Sequence, residues 1–379
     1  MKLLPLFIFW CLWFLNYSTR TVFSPILPLI EDNLSLSHGE AGGFFASLSI
    51  GYALTLLIAG RFTPVWGYKR MVVTGFIGTG LVFIALQWTE SYFAFHILFF
   101  LLGIATGTYL PSILPIITES YEYKYWGKAI GFHDSAASVS FFSIPILMTF
   151  GLHFLPWRRL ILILGIASLL LPIYFWRASI EPKHETSRQG SHYIDLFKRK
   201  TVWIMGLLWI FAAGSCLGIY SVLPLYLIKE RGIDLYLANN LFGISRMGGV
   251  FVSIIIGFLT DRYGYRTILK WSILMTGLAT ISLSLSTTLS QISITLILQG
   301  TLSLAFFPVG MAAISRLAPL SERSMTTGVI VSIGVIFGLG GTPFLLGLIA
   351  DHINFKVGIL GLGVLTTFSS FGVRFLKEA

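Results

Sequence analysis

Gly257-Phe258-Leu259-Thr260-Asp261-Arg262-Tyr263-Gly264-Tyr265-Arg266 is a short charged stretch set between two long apolar runs. It reads G-x-x-x-D-R-x-G-x-R. Two apolar helices joined by so few residues must turn back on each other at one membrane face. Gly264 permits the tight turn, and Arg262 and Arg266 hold it on the cytoplasmic side. Asp261 needs a partner there, because a carboxylate at a membrane boundary costs free energy. A helix N-terminus or a nearby arginine would supply one.

The pattern recurs 197 residues earlier in weaker form, with Gly60, Gly67, Tyr68 and Lys69 standing for Gly257, Gly264, Tyr265 and Arg266. Gly51 and Gly248, Pro111 and Pro308, and Gly131 and Gly328 keep the same offset, and Pro28 and Pro224 keep 196. A single offset held over such a distance means two copies of one unit without a large insertion in either. The duplicated hairpin, between the second and third spans of each half, resembles that of the major facilitator superfamily of secondary transporters. The N-terminal copy departs from the pattern, having Pro64 and Val65 in place of Asp and Arg. The resemblance covers essentially the whole chain. It implies an all-α membrane protein of twelve transmembrane helices, in two pseudo-symmetric six-helix bundles around a central cavity.

Composition agrees with a membrane class. The 379 residues are 55% hydrophobic and 11% charged, with mean hydropathy +0.82, which excludes an ordinary soluble domain. At about 20 apolar residues per span, the runs read as 4–30, 41–61, 69–88, 93–118, 128–153 and 157–178, then 201–228, 238–260, 267–287, 291–316, 326–350 and 354–375. Residues 1–178 form the first bundle, 179–200 a cytoplasmic linker, and 201–379 the second. The linker carries Lys183, His184, Arg188, Lys198, Arg199 and Lys200, and reads as a solvated basic loop within reach of lipid headgroups. The net charge of +10 follows from topology. With both termini cytoplasmic, the outward loops hold only Arg158, Arg159, Lys229, Arg231 and Lys356, and two further arginines fall within spans. That is the positive-inside pattern and no argument for a nucleic-acid partner. Cys11 and Cys216 lie in apolar runs, so they give neither a disulfide framework nor a metal spacing. The first apolar run exceeds a signal-peptide core and is read as a span.

Small residues gather in spans four and five and their counterparts, among them Gly103, Gly107, Pro111, Ser140, Pro145, Gly334, Gly338 and Pro343. They suit close helix packing and bending.

Chemistry concentrates on a few buried polar groups. Arg20, deep in the first span, costs about 2.5–3.5 kcal/mol at mid-membrane on insertion scales. Asn16 and Ser24, four residues to either side, would share its face. Arg20 reads either as an anion ligand or as a snorkelling or carboxylate-fixing arginine. Arg246, in the eighth span with Asn239 seven residues before it, is a second case. The two arginines are not repeat mates, since the offset sets Ser49 opposite Arg246 and Cys216 or Leu217 opposite Arg20. One cation from each half suits a clamp on a carboxylate or phosphate, which a guanidinium fork matches in bidentate fashion. His133-Asp134 in the fifth span is the one intramembrane pair suited to titration. It reads as a proton-coupling site or as a hydrogen-bonded structural pair. Tyr17, Tyr109, Tyr220, Gln299 and Phe306 fall on spans that line the central cavity in the resembled family.

There is no phosphate-cradling G-x-x-x-x-G-K-[ST], no H-E-x-x-H and no nucleophile elbow, so neither an ATP-driven pump nor an enzyme is expected. No cofactor or metal is expected either. The reading is a monomeric cell-membrane transporter of a small anionic solute by alternating access, coupled to protons or another ion as symporter or antiporter. A drug/proton efflux antiporter is the alternative within this class. A non-transporting sensor or assembly partner of the same shape is the alternative outside it. By resemblance, Gly257, Asp261, Arg262, Gly264 and Arg266 form a conformational latch, with Asp261 meeting the fifth-span N-terminus near Trp126 to Gly131.

Overall fold

A computed structural model describes residues 3–182, 193–319 and 322–376. Lys183, His184 and Arg188 of the expected linker lie outside the described residues. The described chain is helical throughout: α1 (Leu3–Thr21), α2 (Phe23–Leu34), α3 (His38–Trp66), α4 (Tyr68–Ala85), α5 (Tyr92–Gly107), α6 (Tyr109–Ser120), α7 (Trp126–Leu152), α8 (Trp157–Ala178) and the short α9 (Tyr193–Phe197). There follow α10 (Lys200–Ala213), α11 (Ile219–Leu225), α12 (Leu235–Ile244), α13 (Gly248–Tyr263), α14 (Tyr265–Leu285), α15 (Leu289–Leu302), α16 (Phe306–Leu317), α17 (Arg323–Gly334), α18 (Thr342–His352) and α19 (Phe355–Ser369). Wider π-helical turns join α10 to α11 at Gly214–Gly218, continue α11 at Tyr226–Glu230, and join α17 to α18 at Val335–Gly341.

Among the described residues, ten helical runs are long and apolar enough to cross a membrane. The runs read from sequence as continuous spans at 4–30 and 238–260 are not among them, because each is broken. The first breaks at Val22 and the second at residues 245–247. Hydroxyl side chains crowd both breaks: Thr21 Oγ1 donates to Tyr17 O at 2.9 Å and Ser245 Oγ to Phe242 O at 2.6 Å. Such back-bonding competes with the helical ladder. Pro25, four residues after Thr21, cannot donate to the next ladder position. The two breaks fall beside Arg20 and at Arg246 itself.

Helix starts repeat through the chain. His38 and Leu235, Tyr68 and Tyr265, Tyr92 and Leu289, Tyr109 and Phe306, and Trp126 and Arg323 are each 197 residues apart. A single glycine joins α3 to α4 and α13 to α14. Gly67 has φ 104° and Gly264 φ 81°, backbone that glycine adopts without the Cβ penalty. The pairing extends to packing. A Cβ on Gly103 would strike the Leu48 carbonyl, and one on Gly300 the Ser245 carbonyl. Both members of each contact are 197 residues from their counterparts, so each copy crosses its helices at a glycine that lets backbones meet.

The chain divides into two compact units, the first comprising Met1–Leu34 and Ser47–Ser187, the second Ser35–Ala46 and Arg188–Ala379. In the first, α1 packs on α7 and α8, and α4 on α5 and α8. Phe9, Trp13, Phe76, Tyr109, Ile113 and Phe175 lie in its core. Glu181 spans the start of α4, accepting from Tyr68 N at 2.5 Å and Lys69 N at 3.2 Å. In the second unit α14 packs along α19 and α10 along α17. Asp351 accepts from His38 N at 2.8 Å and Gly39 N at 2.9 Å, and Glu230 from the backbones of Phe355 and Lys356. In all three cases a carboxylate meets the free N–H groups of a helix start.

Candidate functional site

Three polar clusters account for most of the buried chemistry. In the first unit, Arg20 at the end of α1 is half-buried. Its Nη2 donates to Asn16 Oδ1 at 3.3 Å and its Nε to Asn16 O at 3.4 Å. The guanidinium lies over the rings of Tyr17 and Tyr52, at 4.5 and 4.6 Å. Asn16 is itself held by donating to Thr106 O at 3.1 Å. No carboxylate among the described residues ion-pairs with Arg20. Two π faces and an amide therefore carry its charge. Ser24, expected on the same helical face, lies beyond the break at Val22.

The second cluster surrounds His133, fully buried on α7. Its Nδ1 lies 2.9 Å from Asp134 Oδ1 and its Nε2 3.2 Å from the Tyr109 hydroxyl, which donates to Phe9 O at 3.0 Å. The ring stacks on Trp13, with centroids 5.3 Å apart and 14° between planes. The Asp134 side chain is 57% exposed. Tyr109, expected to line the substrate path, is 1% exposed and belongs to this pair rather than to Arg20. Facing a carboxylate, Nδ1 carries a proton. Nε2 then has two arrangements. Neutral, it accepts from Tyr109. Protonated, it donates to the Tyr109 oxygen while the phenol proton stays on the Phe9 carbonyl. Either way every donor has an acceptor.

In the second unit Arg246 is 2% exposed. One nitrogen, Nη1, reaches Ser303 Oγ at 3.3 Å and Cys216 Sγ at 3.9 Å. The guanidinium sits 5.1 Å from the Tyr220 ring centroid, and Tyr220 packs on Phe242 at 4.3 Å. Nε and Nη2 have no partner among the described residues. Gln299 donates to Ser215 O at 2.6 Å and to Thr280 Oγ1 at 3.4 Å, and its Oε1 is left without a donor. Asn239 is fully buried on α12. The sequence reading thus named Arg246, Tyr220 and Gln299 but missed Cys216 and Ser303 as neighbours of the guanidinium, and Tyr52 and Thr106 beside Arg20 and Asn16. The repeat held the signal for two of them, since Thr106 and Ser303 are 197 residues apart.

The hairpin residues lie at the end of α13 and the start of α14. Asp261 is exposed and has no hydrogen bond to a described residue of its own unit. Arg262 lies over the Tyr263 ring at 5.3 Å, and Arg266 Nε donates to Tyr265 OH at 3.2 Å. Gly257 has open space around it. Among the described residues no group of His, Cys, Asp and Glu could hold a metal ion.

Comparison with known proteins places this arrangement. The family model described as the Major Facilitator Superfamily matches residues 9–290 and 238–378. The chain is 25% identical over 298 residues to the "Probable sulfoacetate transporter SauU" of Cupriavidus necator, covering 71% of this chain and 68% of that protein. It is 22% identical over 374 residues to a gallate transporter of Pseudomonas putida, covering 85% and 81%. The crystal structure of a bacterial homolog of the lysosomal transporter Spinster, inward-facing and unoccupied, superposes with a TM-score of 0.82 at 15% identity over 98% of this chain and 97% of that one. That likeness is one of fold. The matched family is non-catalytic, so the protein is not an enzyme. The chain belongs to the Major Facilitator Superfamily, as a multi-pass membrane protein that moves a solute by alternating access.

Proposed function

We propose that the protein is a proton-coupled secondary transporter of a small organic anion, with twelve spans in two six-helix bundles, both termini cytoplasmic, acting as a monomer. The observation that carries this reading is Arg246, a buried guanidinium with two N–H-bearing nitrogens unpartnered and no carboxylate paired to it among the described residues. A cation so placed is costly alone and favourable against an anion. Arg20, held by Asn16 and two phenol rings, is a second intramembrane cation, in the first unit. The relatives named for sulfoacetate and gallate transport favour an acid as cargo. A cationic-drug antiporter would need a buried acid well inside a span; Asp134 is exposed and bonded to His133, and the buried Glu31 lies in the last turn of α2.

Coupling rests on His133. Its proton uptake keeps every hydrogen bond of the Tyr109–His133–Asp134 chain, while adding a charge beneath Trp13. Asp134→Asn removes the carboxylate that faces Nδ1.

The test is uptake of radiolabelled sulfoacetate and gallate into proteoliposomes under an imposed pH gradient. Accumulation of either acid that collapses with the gradient is expected, and Asp134→Asn should abolish accumulation while sparing exchange. Extrusion of lipophilic cations, with neither acid moved, would overturn the anionic substrate. Gradient-driven accumulation surviving in both Asp134→Asn and His133→Gln would remove the pair from coupling.

A further inference from the structure

Among the described residues several cations near helix ends are occupied. Lys69 Nζ donates to Trp176 O and Ser179 O, at 2.8 and 2.9 Å. Arg158 donates to Leu86 O at 2.6 Å and Thr89 O at 3.0 Å, closing a helix C-terminus. Arg231 donates to Tyr226 OH at 2.8 Å and Ser284 O at 3.3 Å, and Arg199 is paired with Glu322.

One group stands apart. Arg266 and Lys270 lie four residues apart on α14, on one helical face. The 3₁₀ turn at Ser370–Phe375, which follows α19, sets Arg374 beside them. With Ser370, Phe371 and Val373 these three line a cavity of about 260 Å³. Lys270 and Arg374 have no hydrogen bond or ion pair among the described residues, and Arg266 gives only its Nε, to Tyr265 OH. Among the described residues no carboxylate lines the cavity. Three like charges around one small concavity repel one another, and an anion held among them turns that repulsion into attraction.

We propose that Arg266, Lys270 and Arg374 form a binding site for the headgroup phosphate of an anionic phospholipid. A phosphate is the anion whose several oxygens can accept from two guanidinium groups and an ammonium at once. The cavity's other wall selects a lipid over free phosphate. Phe371 is 50% exposed, and Trp271, next to Lys270, and Phe368, on the last turn of α19, are 49% and 65% exposed. Aromatics at this level of a membrane helix sit where headgroup meets acyl chain. The cations also lie on the strongly basic face, the face that meets the anionic leaflet in a positive-inside topology. The site is independent of the transported solute.

The experiment titrates the purified, delipidated full chain with dioleoyl phosphatidylglycerol and, separately, dioleoyl phosphatidylcholine, counting bound lipids by native mass spectrometry. Inorganic phosphate forms a third arm. Phosphatidylglycerol should bind in preference to phosphatidylcholine, and Lys270→Gln and Arg374→Gln should each weaken it about fivefold, the usual effect of one basic residue near an anionic surface. Phe371→Ser should weaken the lipid and leave phosphate unchanged. Equal binding of the two lipids, or unaltered phosphatidylglycerol affinity in both single variants, would overturn the site. Displacement of the lipid by an equal concentration of inorganic phosphate would overturn the lipid assignment. Thermal unfolding of each variant checks that it is folded; all three substituted side chains are exposed.

Discussion

Arg20 and Arg246 are the same residue type facing the same problem, and the chain solves it in two ways. Arg20 is half-buried and keeps its charge on partners near and far, Asn16 and Tyr17 on its own helix and Tyr52 on α3. Arg246 is fully buried and draws on distant ones, a serine hydroxyl and a thiol on other helices, and still leaves two nitrogens bare. An isolated buried charge costs several kcal/mol even after relaxation. Arg20 can therefore exist comfortably without ligand, whereas Arg246 is stabilised most when an anion arrives. On the anion reading proposed above, Arg246 is the side chain that gains the more from a bound anion.

The largest effect expected from this asymmetry is at Arg246. Arg246→Met should weaken anion binding about 100-fold, in line with the ~2–5 kcal/mol lost when one member of a buried charged pair is removed. It should at the same time raise the unfolding temperature of the ligand-free protein, because a hydrophobic side chain of similar length replaces an unpaired charge. Calorimetric binding and thermal unfolding on one preparation read both. Unchanged affinity, or a fall in stability, breaks the comparison.

Arg20→Lys should cost less, about tenfold in affinity. An ammonium retains the attraction to the tyrosine faces but not the planar fork, and stability should stay within about 0.5 kcal/mol. A loss as large as that of Arg246→Met would make the two sites equivalent.

The smallest effects sharpen the same contrast at the hairpins. Gly264→Ala should destabilise by about 1–3 kcal/mol, the cost of holding an L-residue at φ 81° and ψ 147°, with no added clash because its Cβ would meet open space. Gly67→Ala should cost more, because its Cβ would also lie 3.3 Å from Glu181 Oε1, the atom that caps α4. Denaturant unfolding of the two variants ranks them; equal losses would mean that the Glu181 cap yields freely.

The turn glycines and the helix starts were legible in sequence because their cause is local: a glycine between two apolar runs, repeated at one offset. The arginines were legible because charge within a span is conspicuous. What could not be read depends on neighbours far along the chain. Ser303 lies 57 residues from Arg246 and Cys216 lies 30, and nothing near Arg246 says which of its nitrogens they satisfy. Tyr109 looked like a cavity aromatic until His133 and Phe9 were found around its hydroxyl. The breaks beside Arg20 and at Arg246 were hidden by composition, since Thr21 and Ser245 are unremarkable in an apolar helix until their hydroxyls turn back on the carbonyls behind them.

Two of the π-helical turns fall where the offset between the copies changes. Pro28 and Pro224 stand 196 residues apart, but His38 and Leu235 stand 197 apart, and the turn at Tyr226–Glu230 lies between the two C-terminal landmarks. Gly131 and Gly328 are 197 apart, Pro145 and Pro343 198, and here the turn at Val335–Gly341 intervenes. A π-turn takes up one residue more than an α-turn. Each slip of the offset is thus matched by a wide turn able to absorb one added amino acid. Lengthening of this kind leaves the helix on either side in its former rotational phase. The second copy is thus one residue longer than the first at each of these two places, and a wide turn takes up the difference.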